Sequence, residues 1–147
     1  MNKKIYFLNG PNINFLGIRE LEKYGKISYA NLIDLIKQRA KELNVETEYF
    51  QSNIEGEIVD YIQSIYDKYG DWIIINPGAY THTSIAIRDA LLSIKDRKKI
   101  IEVHLTNPNS REGYRKINLI QDLCEYSIQG EGAEGYVKAL EYVYEKK

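Results

Sequence analysis

Apolar residues in this chain fall into short, β-branched-rich runs that stop abruptly at polar, glycine- or proline-bearing segments. Residues 5–8 end at Asn9-Gly10-Pro11-Asn12-Ile13-Asn14, residues 72–75 at Asn76-Pro77-Gly78-Ala79-Tyr80-Thr81-His82-Thr83, and residues 100–103 at His104-Leu105-Thr106-Asn107-Pro108-Asn109. Runs of this length and density suit strands buried on both faces. Strands are therefore predicted over 4–9, 45–51, 71–76, 99–104 and 123–128. Between them the apolar period lengthens to that of a helix. Leu32, Leu35, Ile36 and Ala40 share one face of a helix predicted over 29–44, with Ser28 as its cap. Ile58, Ile62 and Ile65 do the same over 55–69, where Gly70 suits the stop. Further helices are predicted over 82–95, with Thr81 or Thr83 near the start, and over 133–145. Residues 9–26 show no clear period and are too many for a simple strand-to-helix connection, so a binding loop with a lid at about 17–26 is expected there.

Strand and helix alternate from end to end. That pattern predicts an α/β fold: a parallel sheet with helices on both faces and right-handed crossovers. Five strands of this length suit a flavodoxin-like three-layer arrangement, order 2-1-3-4-5, as a single domain spanning 1–147. The carboxyl ends of parallel strands share one edge, where open α/β sheets bind ligands. The three polar junctions would then converge on one pocket, which makes an enzyme the leading expectation. The glycine-bearing stretch 129–135 lacks the spacing and position of a nucleotide-binding fingerprint.

Bulk properties narrow the classes. The chain has 147 residues and a formal net charge of −1. Neither nucleic acid nor an anionic membrane is an expected partner. No apolar run is long enough to span a bilayer, and Lys3 and Lys4 lead straight into a strand, so no secretory leader is expected and the location is expected to be cytoplasmic. A lone Cys124 leaves no internal disulfide and no zinc site of paired thiolates. Two histidines among scattered carboxylates define no metal site, so no metal and no cofactor are expected. The thirteen tyrosines are first of all packing residues.

Both histidines lie at strand-end junctions. Glu102 and His104 are two apart on a strand, so their side chains share a face. A carboxylate there accepts a hydrogen bond from one imidazole nitrogen, favours the protonated acid form and leaves the other nitrogen to the sheet edge. A satisfied structural histidine fits the same pattern equally well. His82, at a helix start, is expected to be neutral and to hydrogen-bond rather than to act as an acid; a turn residue is the alternative. Arg19 and Tyr24 share the long first loop, where an arginine beside a phenol favours phenolate; by composition alone a surface ion and a packing ring fit better. Arg111 and Arg115 follow the fourth strand and suit carboxylate or hydroxyl binding; a solvated helix start is the alternative.

Taken together, these blocks resemble the type II 3-dehydroquinate dehydratases. The resemblance rests on Asn9-Gly10-Pro11-Asn12, Leu16-Gly17-Ile18-Arg19-Glu20, Tyr24-Gly25, Gln51-Ser52-Asn53-Ile54-Glu55-Gly56, Asn76 through Ser84, Arg88-Asp89-Ala90 and Glu102-Val103-His104. It runs from the first strand to the last helix, in order and in spacing. It implies a flavodoxin-like, cofactor-independent enzyme, usually a dodecamer of trimers, that removes water from 3-dehydroquinate by anti elimination through an enolate, in the shikimate pathway toward aromatic amino acids. It further implies Tyr24 as base, Arg19 as its activator, His104 as acid and Glu102 as the group that orients it. Asn12 would hold a water that stabilises the enolate. Asn76, His82 and Arg115 would grip substrate hydroxyls, and the backbone N–H groups of Leu105 and Thr106 the substrate carboxylate. Asp89 would reach the site of a neighbouring subunit. The chain departs from the family's usual residues at Leu21, at Leu105-Thr106, at Pro108-Asn109-Ser110 and at Gly113-Tyr114. Two other classes suit the same architecture: a flavin-binding or electron-transfer module, and another lyase or isomerase of polyhydroxy ketones.

Overall fold

The structure is a computed structural model that describes residues 3–146. Five parallel strands, β1 (Lys4–Asn9), β2 (Glu46–Gln51), β3 (Trp72–Asn76), β4 (Lys99–His104) and β5 (Tyr126–Gln129), form one sheet in the order β2-β1-β3-β4-β5. The sequence patterning has a direct counterpart. The two central strands of unbroken apolar character, β1 and β3, are buried on both faces, whereas edge strand β2, with alternating polar residues, is half-exposed.

Helices α2 (Tyr29–Glu42) and α5 (Glu134–Glu145) cover one face, over Ile5, Phe7, Ile74, Ile101 and Val103. Helices α3 (Glu55–Ser64) and α4 (Ile85–Ile94) cover the other, over Tyr6, Leu8, Ile73, Ile75 and Ile100. Alternate residues of each strand therefore feed two separate apolar layers, and each fully buried isoleucine contributes about 1.5–3 kcal/mol by leaving water. Among the described residues no helix is long and apolar enough to cross a membrane.

Several boundaries differ from the sequence reading. The helix expected from residue 82 starts at Ile85, because the Ser84 hydroxyl, not a threonine, accepts the Ile87 N–H as its cap (2.9 Å), while Gly78–His82 form a tight 3-10 turn. The helix expected to run to 69 regularises only to Ser64. Beyond it the chain tightens into i→i+3 bonds, Tyr66 N–H to Gln63 and Lys68 N–H to Ile65. Strand β5 begins at Tyr126 rather than 123, because Leu123 is buried within a 3-10 turn, Gln121–Leu123. The first loop holds a short helix, α1 (Leu21–Tyr24), too brief to leave a periodic signal.

Two glycines hold the carboxyl edge together. A Cβ on Gly10 would lie 2.4 Å from the Pro77 carbonyl oxygen, and one on Gly78, at φ +61°, 2.9 Å from the Pro11 carbonyl oxygen. The Gly10 N–H donates to the Asn76 carbonyl (2.8 Å). The loops after β1 and β3 interlock backbone to backbone, which brings two of the three polar junctions together.

Candidate active site

A cleft with ≈ 610 Å³ of space, including its open mouth, lies at the carboxyl edge of the sheet. Its lining comes from the junctions after β1, β3 and β4 and from the first loop. Of the residues expected from the sequence, Asn12, Arg19, Tyr24, Asn76, His82, His104, Leu105, Thr106 and Arg115 all line it. Glu102 lies beneath His104 rather than on the wall. Asp89 is on the exposed side of α4 and does not line this cleft.

His104 is held from below. Its Nε2 is 2.7 Å from Glu102 Oε2, which leaves Nδ1 as the nitrogen available to the cleft. Glu102 is fully buried and accepts three sets of hydrogen bonds: from His104, from Asn118 Nδ2 (2.9 and 3.3 Å) and from the Ser127 hydroxyl (2.7 Å). Burial pushes its pKa up. The bonds from His104, Asn118 and Ser127, with the His104 charge, outweigh that and hold Glu102 below the ordinary carboxylate value. Register explains Ser127: it is the direct partner of Glu102 in the β4–β5 pair.

His82 donates from Nδ1 to the Ile117 carbonyl (2.6 Å), so in the neutral ring Nε2 is left as an acceptor. Its pKa is lowered. Burial is the largest cause, the Ile117 carbonyl works the other way, and the charges of Arg115, His104 and Arg111 add to the lowering. The expected neutral imidazole is thus supported, but by burial and neighbouring cations rather than by a helix start.

Two arginines meet Tyr24. Arg19 lies over its ring, 4.5 Å from the centroid, while Arg111 lies 5.4 Å from the centroid and donates from Nη1 to its hydroxyl at 2.7 Å. Arg111 also lies 3.5 Å from the Thr106 hydroxyl and lines the cleft. The sequence suggests carboxylate or hydroxyl binding for Arg111; folding brings it, across 87 residues, to the phenol oxygen. Arg115 is paired with Glu112 (2.7 Å), which keeps it charged despite partial burial.

Asn9 and Asn76 are register partners on the opposite face of the sheet from Glu102. The buried Tyr136 hydroxyl bridges them, donating to Asn9 Oδ1 (2.5 Å) and accepting from Asn76 Nδ2 (3.0 Å). Asn76 Oδ1 takes the Gly78 N–H (3.1 Å), so its amide has one defined orientation, with one N–H to spare. Asn12, at φ +69°, donates its backbone N–H to Asn53 Oδ1 (2.9 Å). Sequence reasoning missed Asn118, Ser127 and Tyr136. None carries a local signal: two are common polar residues and the third is one of thirteen tyrosines.

An open parallel α/β sheet in the flavodoxin-like order, with titratable groups gathered at its carboxyl edge, defines an α/β enzyme of that class. Residues 3–144 match the family model for dehydroquinase class II. The chain is 51% identical to a 3-dehydroquinate dehydratase of Lachnoclostridium phytofermentans, over 95% of each chain, and 49% identical to one of Caldicellulosiruptor saccharolyticus, over 94% of each. It superposes on the crystal structure of type II dehydroquinase from Butyrivibrio crossotus with a TM-score of 0.94 at 48% identity, covering 97% of both chains. Against the type II dehydroquinase of Propionibacterium acnes the TM-score is 0.93 at 33% identity, covering 99% of both. The chain belongs to the class II dehydroquinase family.

Proposed function

We propose that the protein is a 3-dehydroquinate dehydratase acting in the cytoplasm, and that Tyr24 and His104 are its proton-transfer pair. The observation that carries this reading is one cleft that holds Tyr24, with Arg111 on its hydroxyl and Arg19 on its ring, together with His104 braced by Glu102. Tyr24, as phenolate, takes the proton from the carbon between ketone and tertiary alcohol. The electron pair moves onto the ketone oxygen as an enolate, stabilised by a water that Asn12 helps to hold. His104 then gives its Nδ1 proton to the departing hydroxyl as the enolate collapses to the conjugated enone. The elimination is anti, so base and acid act from opposite sides of the ring, one from the lid and one from the sheet edge.

Around these steps the other residues bind. Asn76, with its spare N–H, neutral His82 and charged Arg115 take substrate hydroxyls, and the backbone N–H groups of Leu105 and Thr106 take the carboxylate. In this reading Arg19 and Arg111 share the compensation of the phenolate charge. Asp89, exposed on α4, reaches the site of a second subunit, and the working assembly is a dodecamer of trimers. Mixing the protein with 3-dehydroquinate and following the ultraviolet absorbance of the product enone tests the activity. Flat absorbance with a folded protein at substrate saturation refutes it.

A further inference from the structure

One short segment meets one histidine of the cleft directly and the other through its carboxylate partner. The Ile117 carbonyl accepts the His82 Nδ1 proton (2.6 Å), and the next residue, Asn118, donates to both oxygens of Glu102, the partner of His104. The segment is itself anchored. Leu119 N–H donates to the Thr81 carbonyl (3.0 Å), and Arg88 reaches the Leu119 carbonyl (2.7 Å) while pairing with Asp122 through both guanidinium nitrogens. Asn118 also turns its Oδ1 back to the N–H groups of Ile120 (3.0 Å) and Gln121 (2.9 Å), so the direction of its amide is set. From the far side, Ser127 on β5 donates to Glu102 Oε1.

We propose that Asn118 and Ser127 are positioning residues for proton transfer: together they hold Glu102 as an oriented carboxylate, which fixes the ring of His104 with Nδ1 toward the cleft. This rests on the reading of His104 as the acid. A fully buried carboxylate with one partner is free to rotate and costly to keep ionised. With three partners on two oxygens it has one orientation, and the imidazole N–H that it accepts inherits that orientation. The titratable groups around the pair are His82 on the preceding turn, Arg111 and Arg115 after β4, and Cys124 at the approach to β5, whose thiol burial and the Glu102 charge push up and keep neutral. None of these donates a hydrogen bond to Glu102 among the bonds described.

The two histidines make the test direct. The ring ¹⁵N signals of His82 and His104 are followed through a pH titration by NMR, in parallel with steady-state turnover of 3-dehydroquinate, in wild type, Asn118→Leu and Ser127→Ala. Removing either donor frees the Glu102 carboxylate to turn, so the Nε2–H tautomer of His104 is expected to lose its dominance in each variant, read from the ring ¹⁵N shifts. Turnover is expected to fall by about tenfold with KM within twofold, because orientation is felt in the transition state. Ser127→Ala lies on a strand, makes no capping bond and keeps the test decisive if Asn118→Leu does not fold. A folded variant whose His104 ring signals match those of wild type overturns the proposal, and so does wild-type turnover despite altered ring signals. Failure of the underlying reading looks different: wild type, or His104→Ala, then shows that dehydration is absent or does not need His104, whatever the ring signals do.

Discussion

The two arginines on Tyr24 engage it differently, and the difference is testable at the residue scale. Both lie over the ring, but only Arg111 also bonds the hydroxyl. Tyr24→Phe removes only the hydroxyl, so folding and substrate affinity are expected to persist while kcat falls by about 10²–10⁴-fold. Arg111→Met is expected to approach that loss more closely than Arg19→Met, since a charge compensates a phenolate best at its oxygen; equal losses in a kinetic comparison would remove the distinction. His104→Ala should also stall dehydration, yet exchange of the abstracted substrate proton with deuterated water is expected to continue, because Tyr24 still forms the enolate. Loss of that exchange in His104→Ala and its survival in Tyr24→Phe would reverse the assigned roles. On the other face, Tyr136→Phe deletes the bridge between Asn9 and Asn76. Both amides are then left buried without that partner, and calorimetry is expected to show a loss of about 1–3 kcal/mol together with a raised KM.

At the scale of elements, the interlock of the loops after β1 and β3 sets the shape of the cleft. Gly10→Ala puts a methyl 2.4 Å from the Pro77 carbonyl oxygen, a backbone atom that cannot swing aside as a side chain can. The expected cost is about 1–3 kcal/mol, read as a lowered Tm, with kcat reduced because Asn12 and Asn76 are displaced together. An unchanged Tm would mean that the loops relax independently, and that the junctions are not coupled. Much at this scale was legible beforehand. Unbroken apolar runs marked β1 and β3, and a run interrupted only by Glu102 marked β4, because strands buried on both faces have little polar side to show. Less legible was the start of α4, because Thr81, Thr83 and Ser84 are all competent caps and only packing of the Gly78–His82 turn against Pro11 selects Ser84.

For the whole molecule, the acid side of the stability curve is the informative one. His82 and Glu102 both have lowered pKa values in the folded state, from ordinary values of 6.5 and 4.5. As pH falls through those ordinary values the unfolded chain takes up protons that the native state refuses, so stability decreases with pH. Full stability from these two groups is present above about 6.5; it is lost first below that value through His82 and then below about 4.5 through Glu102. Thermal melts across pH 4–8 check the sign, and a His82→Asn variant is expected to lack the upper part of the decline. Assembly belongs to this scale too. Exposed Asp89, together with exposed Ile85 and Leu92 on the same helix, supports a subunit contact along α4. Light scattering is expected to report a multiple of three subunits; a stable, fully active monomer would refute it.

The sequence by itself determined the parallel order of the sheet, its two apolar layers, the edge at which polar junctions gather and, through the blocks around Tyr24, His82 and His104, the family. The sheet, its layers and its polar edge follow from period and spacing, which are local properties of a chain; the family follows from the resemblance of those blocks. Only the tertiary structure decided which groups touch which. Arg111 meets Tyr24 across 87 residues, Tyr136 meets Asn9 across 127, and Ser127 meets Glu102 through strand register. Such contacts depend on how separate elements are docked, and no local period encodes them. A buried carboxylate or amide must find its partners wherever packing brings them.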